Sequence, residues 1–125
     1  MFDSVQFRVT LPAVDMDRAK AWYEAKLGLV PVEEDEFDGA WYETGETPFL
    51  LYPSEFAGTN QATAASFSLE DFDAAIAELR GRGVTFTEFD YEDFKTVEGV
   101  LTLPDGRKGV WFQDSEGNIL NIISE

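Results

Sequence analysis

The apolar and polar positions of this chain repeat at two scales. Between Asp15 and Leu27, the apolar residues Ala19, Trp22, Tyr23 and Leu27 recur at helical spacing. Asp15 suits the N-cap, Asp17 the first turn and Lys26 the last, and Gly28 offers a left-handed stop. The pattern starts again at Asp71. There Phe72, Ala75, Ile76 and Leu79 form the apolar face, Arg80 and Arg82 fall near the end, and Gly83 stops the helix. Asp15, Asp17, Ala19 and Ala21 each meet their own residue type 56 positions later, at Asp71, Asp73, Ala75 and Ala77.

Short apolar stretches bounded by turn residues predict strands over 5–11, 30–34, 40–44 and 48–53 around the first helix. Strands over 64–69, 84–89, 108–113 and 119–123 are predicted around the second. Two hairpins turn at Gly45-Glu46 and Glu116-Gly117. The stretch from Trp41 to Glu46 aligns with Trp111 to Glu116 at an offset of 70. Without a gap, the match runs on from Phe49-Leu50-Leu51-Tyr52 to Ile119-Leu120-Asn121-Ile122. These elements predict an α+β fold: two tandem βαβββ modules forming a curved mixed sheet around a cleft. Residues 1–125 are expected to form a single domain, with modules over about 5–53 and 62–124 and a linker over 54–61. Residues 90–102 look irregular and are expected to form a mobile loop near the open edge of the sheet.

Composition narrows the chemistry. The chain has neither cysteine nor histidine, so thiolate chemistry, disulfides, imidazole bases and imidazole metal ligands are all absent. A net charge of −16, from 25 acidic and 9 basic residues, argues against nucleic acid and against anionic membrane surfaces. No apolar run approaches the ~20 residues that span a bilayer, and residues 1–10 lack the pattern of a signal peptide. A cytoplasmic location is expected. So much acid with only four lysines also resembles proteins adapted to saline cytoplasm, where salt screens self-repulsion.

The module order, with Val14-Asp15, Arg18-Ala19, Trp22-Tyr23 and Leu27-Gly28-Leu29, resembles the vicinal oxygen chelate superfamily, which holds glyoxalase I, bleomycin and fosfomycin resistance proteins and extradiol dioxygenases. The ending Trp111-Phe112-Gln113-Asp114-Ser115-Glu116-Gly117-Asn118 is similar to that family's Asp-Pro-Asp-Gly-Asn hairpin, with Ser115 in place of proline. The resemblance implies four metal-ligand positions on the concave face, which fall here at Arg8, Leu51, Ala64 and Asn121. Leucine and alanine have no donor atoms, arginine repels a cation, and Asn121 offers one neutral oxygen. A transition-metal site needs three or four N or O ligands, so no metal and no other cofactor is expected.

Strand alternation then gives an expected ligand-binding wall of Arg8, Thr10, Phe49, Leu51, Ala64, Ser66, Ile119 and Asn121. Arg8 has two readings: it meets a ligand carboxylate or carbonyl, or it pairs with an internal acid such as Glu43. Trp41 and Trp111 either stack on a ligand or pack internally. Acidic runs such as Glu33-Glu34-Asp35-Glu36 read as solvated turns. Three function classes follow. The first is a bleomycin-resistance-like protein that binds a small organic molecule in a metal-free cleft. The second is an enzyme of the same family with a non-standard site, in which Glu43 or Tyr42 acts as acid or base if it faces the cleft. The third is a non-catalytic subunit or regulatory module. No catalytic residue is assigned. The resemblance also implies a homodimer, which would cover exposed sheet edges.

Overall fold

The computed structural model describes all 125 residues. Strand β1 (Val9–Ala13) leads into helix α1 (Met16–Trp22), which continues as a wider, π-type turn over Tyr23–Leu27 and ends at Gly28 with φ +68°. The Asp15 carboxylate caps this helix by accepting from the Arg18 N–H at 3.0 Å. Strands β2 (Glu33–Glu34), β3 (Ala40–Thr44) and β4 (Thr47–Pro53) complete module one. Module two repeats the plan with β5 (Thr63–Leu69), α2 (Phe72–Gly81), β6 (Asp90–Tyr91), β7 (Phe94–Val97), β8 (Val100–Thr102), β9 (Lys108–Gln113) and β10 (Ile119–Ser124).

The strands form two sheets, in the orders β1-β4-β3-β2 and β5-β10-β9-β8-β7-β6. In each, the first strand of the module pairs in parallel with the last, and the other pairs are antiparallel. Sixteen buried residues from both modules and both helices make one core, with Tyr23, Tyr42, Phe112, Leu11, Leu51, Leu120 and Val110 its largest fully buried side chains.

Several local expectations change, among them the strand over 30–34, which shortens to Glu33–Glu34. Residues 84–89 are not a strand, although Thr87 N–H does donate to the Trp111 carbonyl at 2.7 Å. The expected loop over 90–102 is instead three short strands. Their signal is the period-two burial of Phe94–Val97 and a turn at Glu98-Gly99, both at positive φ as a two-residue hairpin requires. The density of charge in that stretch hid the alternation. Strand β8 takes the place beside β9 that β2 holds beside β3. The first strand is also shorter than expected. Val5 and Phe7 have no strand beside them and are 56 % and 92 % exposed.

The repeat contains a one-residue slip with consequences for the cleft. Glu43 pairs with Pro48 across the first hairpin, and Gln113 pairs with Ile119 across the second. The first turn therefore encloses residues 44–47 and the second residues 114–118, one residue longer. The offset of 70 holds through β3 and β9, then becomes 71 in β4 and β10. Because side chains alternate along a strand, that single residue turns β4 over relative to a gap-free reading.

Candidate functional site

The slip moves two expected wall residues out of the cleft. Phe49 and Leu51 lie beside Val9 and Leu11 on the α1 side of the sheet. The Phe49 ring stacks on Tyr42 at 4.8 Å and meets Tyr23 at 5.9 Å, and Leu51 is wholly buried. Leu50 and Tyr52 take the concave side instead, next to Thr10 and Pro12. Tyr42 also faces α1, not the cleft. Burial pushes its phenol up to about 12, and its hydroxyl has no hydrogen-bond partner. The acid-base role considered for Tyr42 thus has no access to a ligand in the cleft. Glu43 is exposed, on the same face as Trp41.

On the concave face of module one, Arg8 lies over Trp41 and not against Glu43. Its guanidinium lies 5.1 Å above the Trp41 ring, a cation–π arrangement. Trp41 Nε1 donates to Asp35 Oδ2 at 3.2 Å. Asp35 also accepts the Gly39 and Phe37 N–H groups, and these donors, Gly39 first, hold its carboxyl below the ordinary range.

Module two departs from this at one point. The register of β10 against β5 shifts between Ile119 and Leu120, so Ala64 drops out of the ladder as a bulge and packs against the core. Thr63, not Ala64, then stands beside Ile119; the position it matches in module one, one residue before the first ladder pair Val9–Phe49, is that of Arg8. The Thr63 hydroxyl oxygen accepts from Trp111 Nε1 at 3.2 Å. Ser66 and Asn121 satisfy each other. Ser66 Oγ donates to Asn121 Oδ1 at 2.6 Å, and Asn121 Nδ2 donates to the Val110 carbonyl at 3.0 Å.

Beyond Trp111 the concave face opens into a cleft of about 500 Å³. Phe89 meets Trp111 edge-on at 5.6 Å, Phe94 meets it at 5.4 Å, and Phe89 and Phe94 meet each other edge-on at 5.2 Å. Tyr91, at 6.4 Å from Phe89, completes an aromatic box. Gln61, Ala62, Thr63, Thr87, Gln113 and Ile119 supply the rest of the lining, and no Lys, Arg, Asp or Glu contributes to it. Of the eight wall residues expected from sequence, Ile119 alone lines this box. Arg8 and Thr10 sit on the sheet of module one, and Ser66 and Asn121 lie further along β5 and β10. The box residues that sequence reasoning passed over carry a signal, namely the spacing Phe89-x-Tyr91-x-x-Phe94 within the supposed loop.

The second hairpin turn joins the modules. Asp114 Oδ1 accepts the N–H groups of Glu116 and Asn118, and Oδ2 accepts from Tyr23 Oη at 2.6 Å and from Asn118 Nδ2 at 2.8 Å. Burial, then the neighbouring Asp114 carboxylate, pushes the Tyr23 phenol far above its ordinary range. Asn118 Nδ2 also donates to the Pro12 carbonyl. Glu116 takes both Nε and Nη2 of Arg18, at 2.8 and 2.9 Å, and the Asp15 N–H at 2.9 Å. The Arg18 hydrogen bond, ahead of the Asp15 and Ser115 donors, lowers the Glu116 carboxyl to about 2. Gly117 and Gly58 pack backbone to backbone. A Cβ on Gly117 would lie 2.9 Å from Gly58 Cα, and both glycines have positive φ.

The residues do not fit the metal of the resembling enzymes. Leu51 points under α1, Ala64 lies in the bulge, Arg8 covers Trp41, and the single Asn121 acceptor is already engaged by Ser66. No group of three or more Asp and Glu side chains comes together to hold an ion. No helix is long and apolar enough to cross a membrane.

Comparison with known proteins agrees with this architecture. The family model described as Glyoxalase/Bleomycin resistance protein/Dioxygenase superfamily matches residues 6–122. Among solved structures, UcmS2 is similar with a TM-score of 0.75, at 21% identity over 96% of this chain and 97% of its own. A glyoxalase/bleomycin resistance protein from Catenulispora acidiphila reaches 0.73 at 21% identity, over 98% of this chain and 99% of its own. A lactoylglutathione lyase from Agrobacterium tumefaciens reaches 0.72 at 18% identity, over 97% of this chain and 93% of its own. Identities this low speak for the fold alone. No functionally curated protein matches the sequence.

Proposed function

The chain belongs to the glyoxalase/bleomycin resistance protein/dioxygenase superfamily, and we propose that within it this protein binds a small organic molecule without a metal, in the aromatic cleft of module two. The observation that carries this reading is the box of Phe89, Tyr91, Phe94 and Trp111. Its volume of about 500 Å³ lies within the range of small-molecule sites. Aromatic walls with a few amide and hydroxyl groups, here from Gln61, Thr63, Thr87 and Gln113, suit a largely apolar ligand held in one orientation. On module one's concave face the Trp41 ring is covered by Arg8 and its N–H is taken by Asp35, which favours module two as the working half.

A thermal-shift screen against metabolites and antibiotics tests the reading. Hits are expected that raise the melting temperature of the native protein and not that of Trp111→Ala, itself checked by circular dichroism for a native fold. Hits that stabilise both proteins equally would move the site elsewhere, and a screen without hits would count against a binding role.

The same reading includes a homodimer. Phe2, Val5 and Phe7 are exposed at the N-terminus, and a partner would cover them. Light scattering should give about twice the 14.0 kDa chain mass.

A further inference from the structure

The two tryptophans at corresponding positions in the repeat meet different neighbours. Trp41 and Trp111 occupy the same place on β3 and β9, each on the concave face, and each has its indole N–H engaged by a nearby oxygen. The face of Trp41 is covered by the chain's own guanidinium, that of Arg8, at 5.1 Å. Around Trp111 there is no cation. The bulge puts Thr63 where Arg8 would be, and Phe89 and Phe94 extend the aromatic surface around an open cavity.

We infer that the aromatic box of module two takes an organic cation, a quaternary ammonium or alkylated amine head group, in the role that Arg8 plays for its repeat mate. This rests on the reading of the box as the ligand cleft and names the chemistry of the ligand. Three features point the same way. Aromatic rings carry negative quadrupole charge on their faces, and a cavity lined by four of them offers the polarisable surface that selects soft, weakly hydrated cations. No basic side chain lines the box to repel such a ligand, and no acid lines it to demand a small, hard ion. The chain's net charge of −16 draws cations toward the surface, which raises their local concentration at low salt. An anionic ligand would find no positive partner here.

The test compares choline with 3,3-dimethylbutan-1-ol, its uncharged carbon isostere, by calorimetry on the full chain. A fixed 0.5 M chloride background suppresses diffuse attraction to the acidic surface. Choline is expected to bind about tenfold or more tightly than the alcohol, the range that a desolvated cation–π contact supports. Thr63→Arg should abolish choline binding, because it tethers a guanidinium over Trp111 as Arg8 is tethered over Trp41. Phe94→Leu, which keeps an apolar wall and loses a ring face, should weaken it several-fold and guards against a misfolded Thr63→Arg. Equal affinity for the two probes would overturn the cation inference and leave the small-molecule cleft standing. Choline binding that survives both substitutions would overturn the assignment to this box. Binding of neither probe would overturn the cation inference, whereas the cleft reading falls only if the broader screen also finds no ligand that depends on Trp111.

Discussion

The two hairpin turns hold the same place in the repeat and do opposite things. Residues 114–118 are tucked against α1. Asp114, Glu116 and Asn118 are nearly buried there and spend their polar atoms on Tyr23, Arg18, Asp15 and Pro12. Residues 44–47 lie at the surface, where the one side-chain hydrogen bond is an exposed contact from Thr44 Oγ1 to the Thr47 carbonyl at 3.3 Å. The partners have diverged with the turns. Arg18 and Tyr23 correspond to Ala74 and Leu79 on α2. Where the start of the first helix meets a polar joint, the second, with the end of the first, borders a hollow of about 260 Å³ whose lining mixes apolar Leu27, Phe67, Leu79 and Ile122 with charged Lys26 and Arg82. A repeat gives both halves the same backbone plan, and one inserted residue, with Arg18 and Tyr23 in place of the alanine and leucine of α2, decides which half carries the bond between modules.

The largest expected effect is at the centre of that joint. Asp114→Ala leaves the Tyr23 hydroxyl, one of the two Asn118 amide hydrogens and two backbone N–H groups without their acceptor. Each buried orphan costs about 1–3 kcal/mol and partial rearrangement recovers some, so a loss of about 4 kcal/mol is expected in urea unfolding. Thr44→Ala, the same position in the other turn, should cost no more than about 0.5 kcal/mol. Similar losses for the two would erase the asymmetry between the turns.

Acid should act on the joint next. Glu116 has its folded-state carboxyl at about 2, below its ordinary value of 4.5. A depressed carboxyl contributes stability that is fully present above the unfolded value and is lost as pH falls through the folded one. The window is therefore pH 4.5 down to 2, and the contribution is about 3 kcal/mol. Glu116→Gln should be less stable at pH 7 and should flatten the acid limb of the stability curve. Glu46→Gln, on the exposed turn, should leave that limb unchanged.

How much of this was legible in the sequence depends on whether the signal was periodic or depended on register. The helices and their stops, the Asp15 cap, and the strands at 40–44 and 108–113 followed directly from spacing, since capping residues and apolar stripes are local. The facing of β4 was not legible. Phe49 and Leu51 are as apolar as Leu50 and Tyr52, so alternation could not say which pair faced the helix, and only the count of residues in the turn decides. The bulge at Ala64 left no mark because alanine and threonine both sit comfortably in a strand. The aromatic box escaped because Phe89, Tyr91 and Phe94 lie among Glu88, Asp90, Glu92 and Asp93, and dense charge masked a pair of short hairpins.

Salt separates surface from joint. The net charge of −16 sits largely on exposed side chains, and the screening length falls from ~30 Å in dilute buffer to ~3 Å at molar salt. The melting temperature should rise with chloride in the native protein, and by a similar increment in Asp114→Ala, whose missing contacts are buried and short-ranged. A native protein whose melting temperature is flat across this range would remove the physical basis for a halophilic reading. An increment confined to one of the two proteins would show that surface repulsion reaches the joint.

The smallest effect is the most informative about the two tryptophans. Arg8 is exposed, so its cation–π contact with Trp41 is worth about 0.5–1 kcal/mol, and Arg8→Ala should lower stability by no more than that. It should, however, uncover the Trp41 ring. Acrylamide quenching of tryptophan fluorescence is expected to increase in Arg8→Ala and to decrease in Thr63→Arg, where a guanidinium is added over Trp111 instead. The fully exchanged protein, with both substitutions, would carry its cation on module two and its open ring on module one. Module one has no counterpart of the Phe89 and Phe94 walls around its tryptophan: Trp41 has no aromatic ring packed against it, whereas Trp111 has one edge-on and one tilted. Choline should therefore bind the exchanged protein far more weakly than it binds the native one. If exchange moved the binding with equal strength, a single uncovered tryptophan would be sufficient and the surrounding box would be incidental.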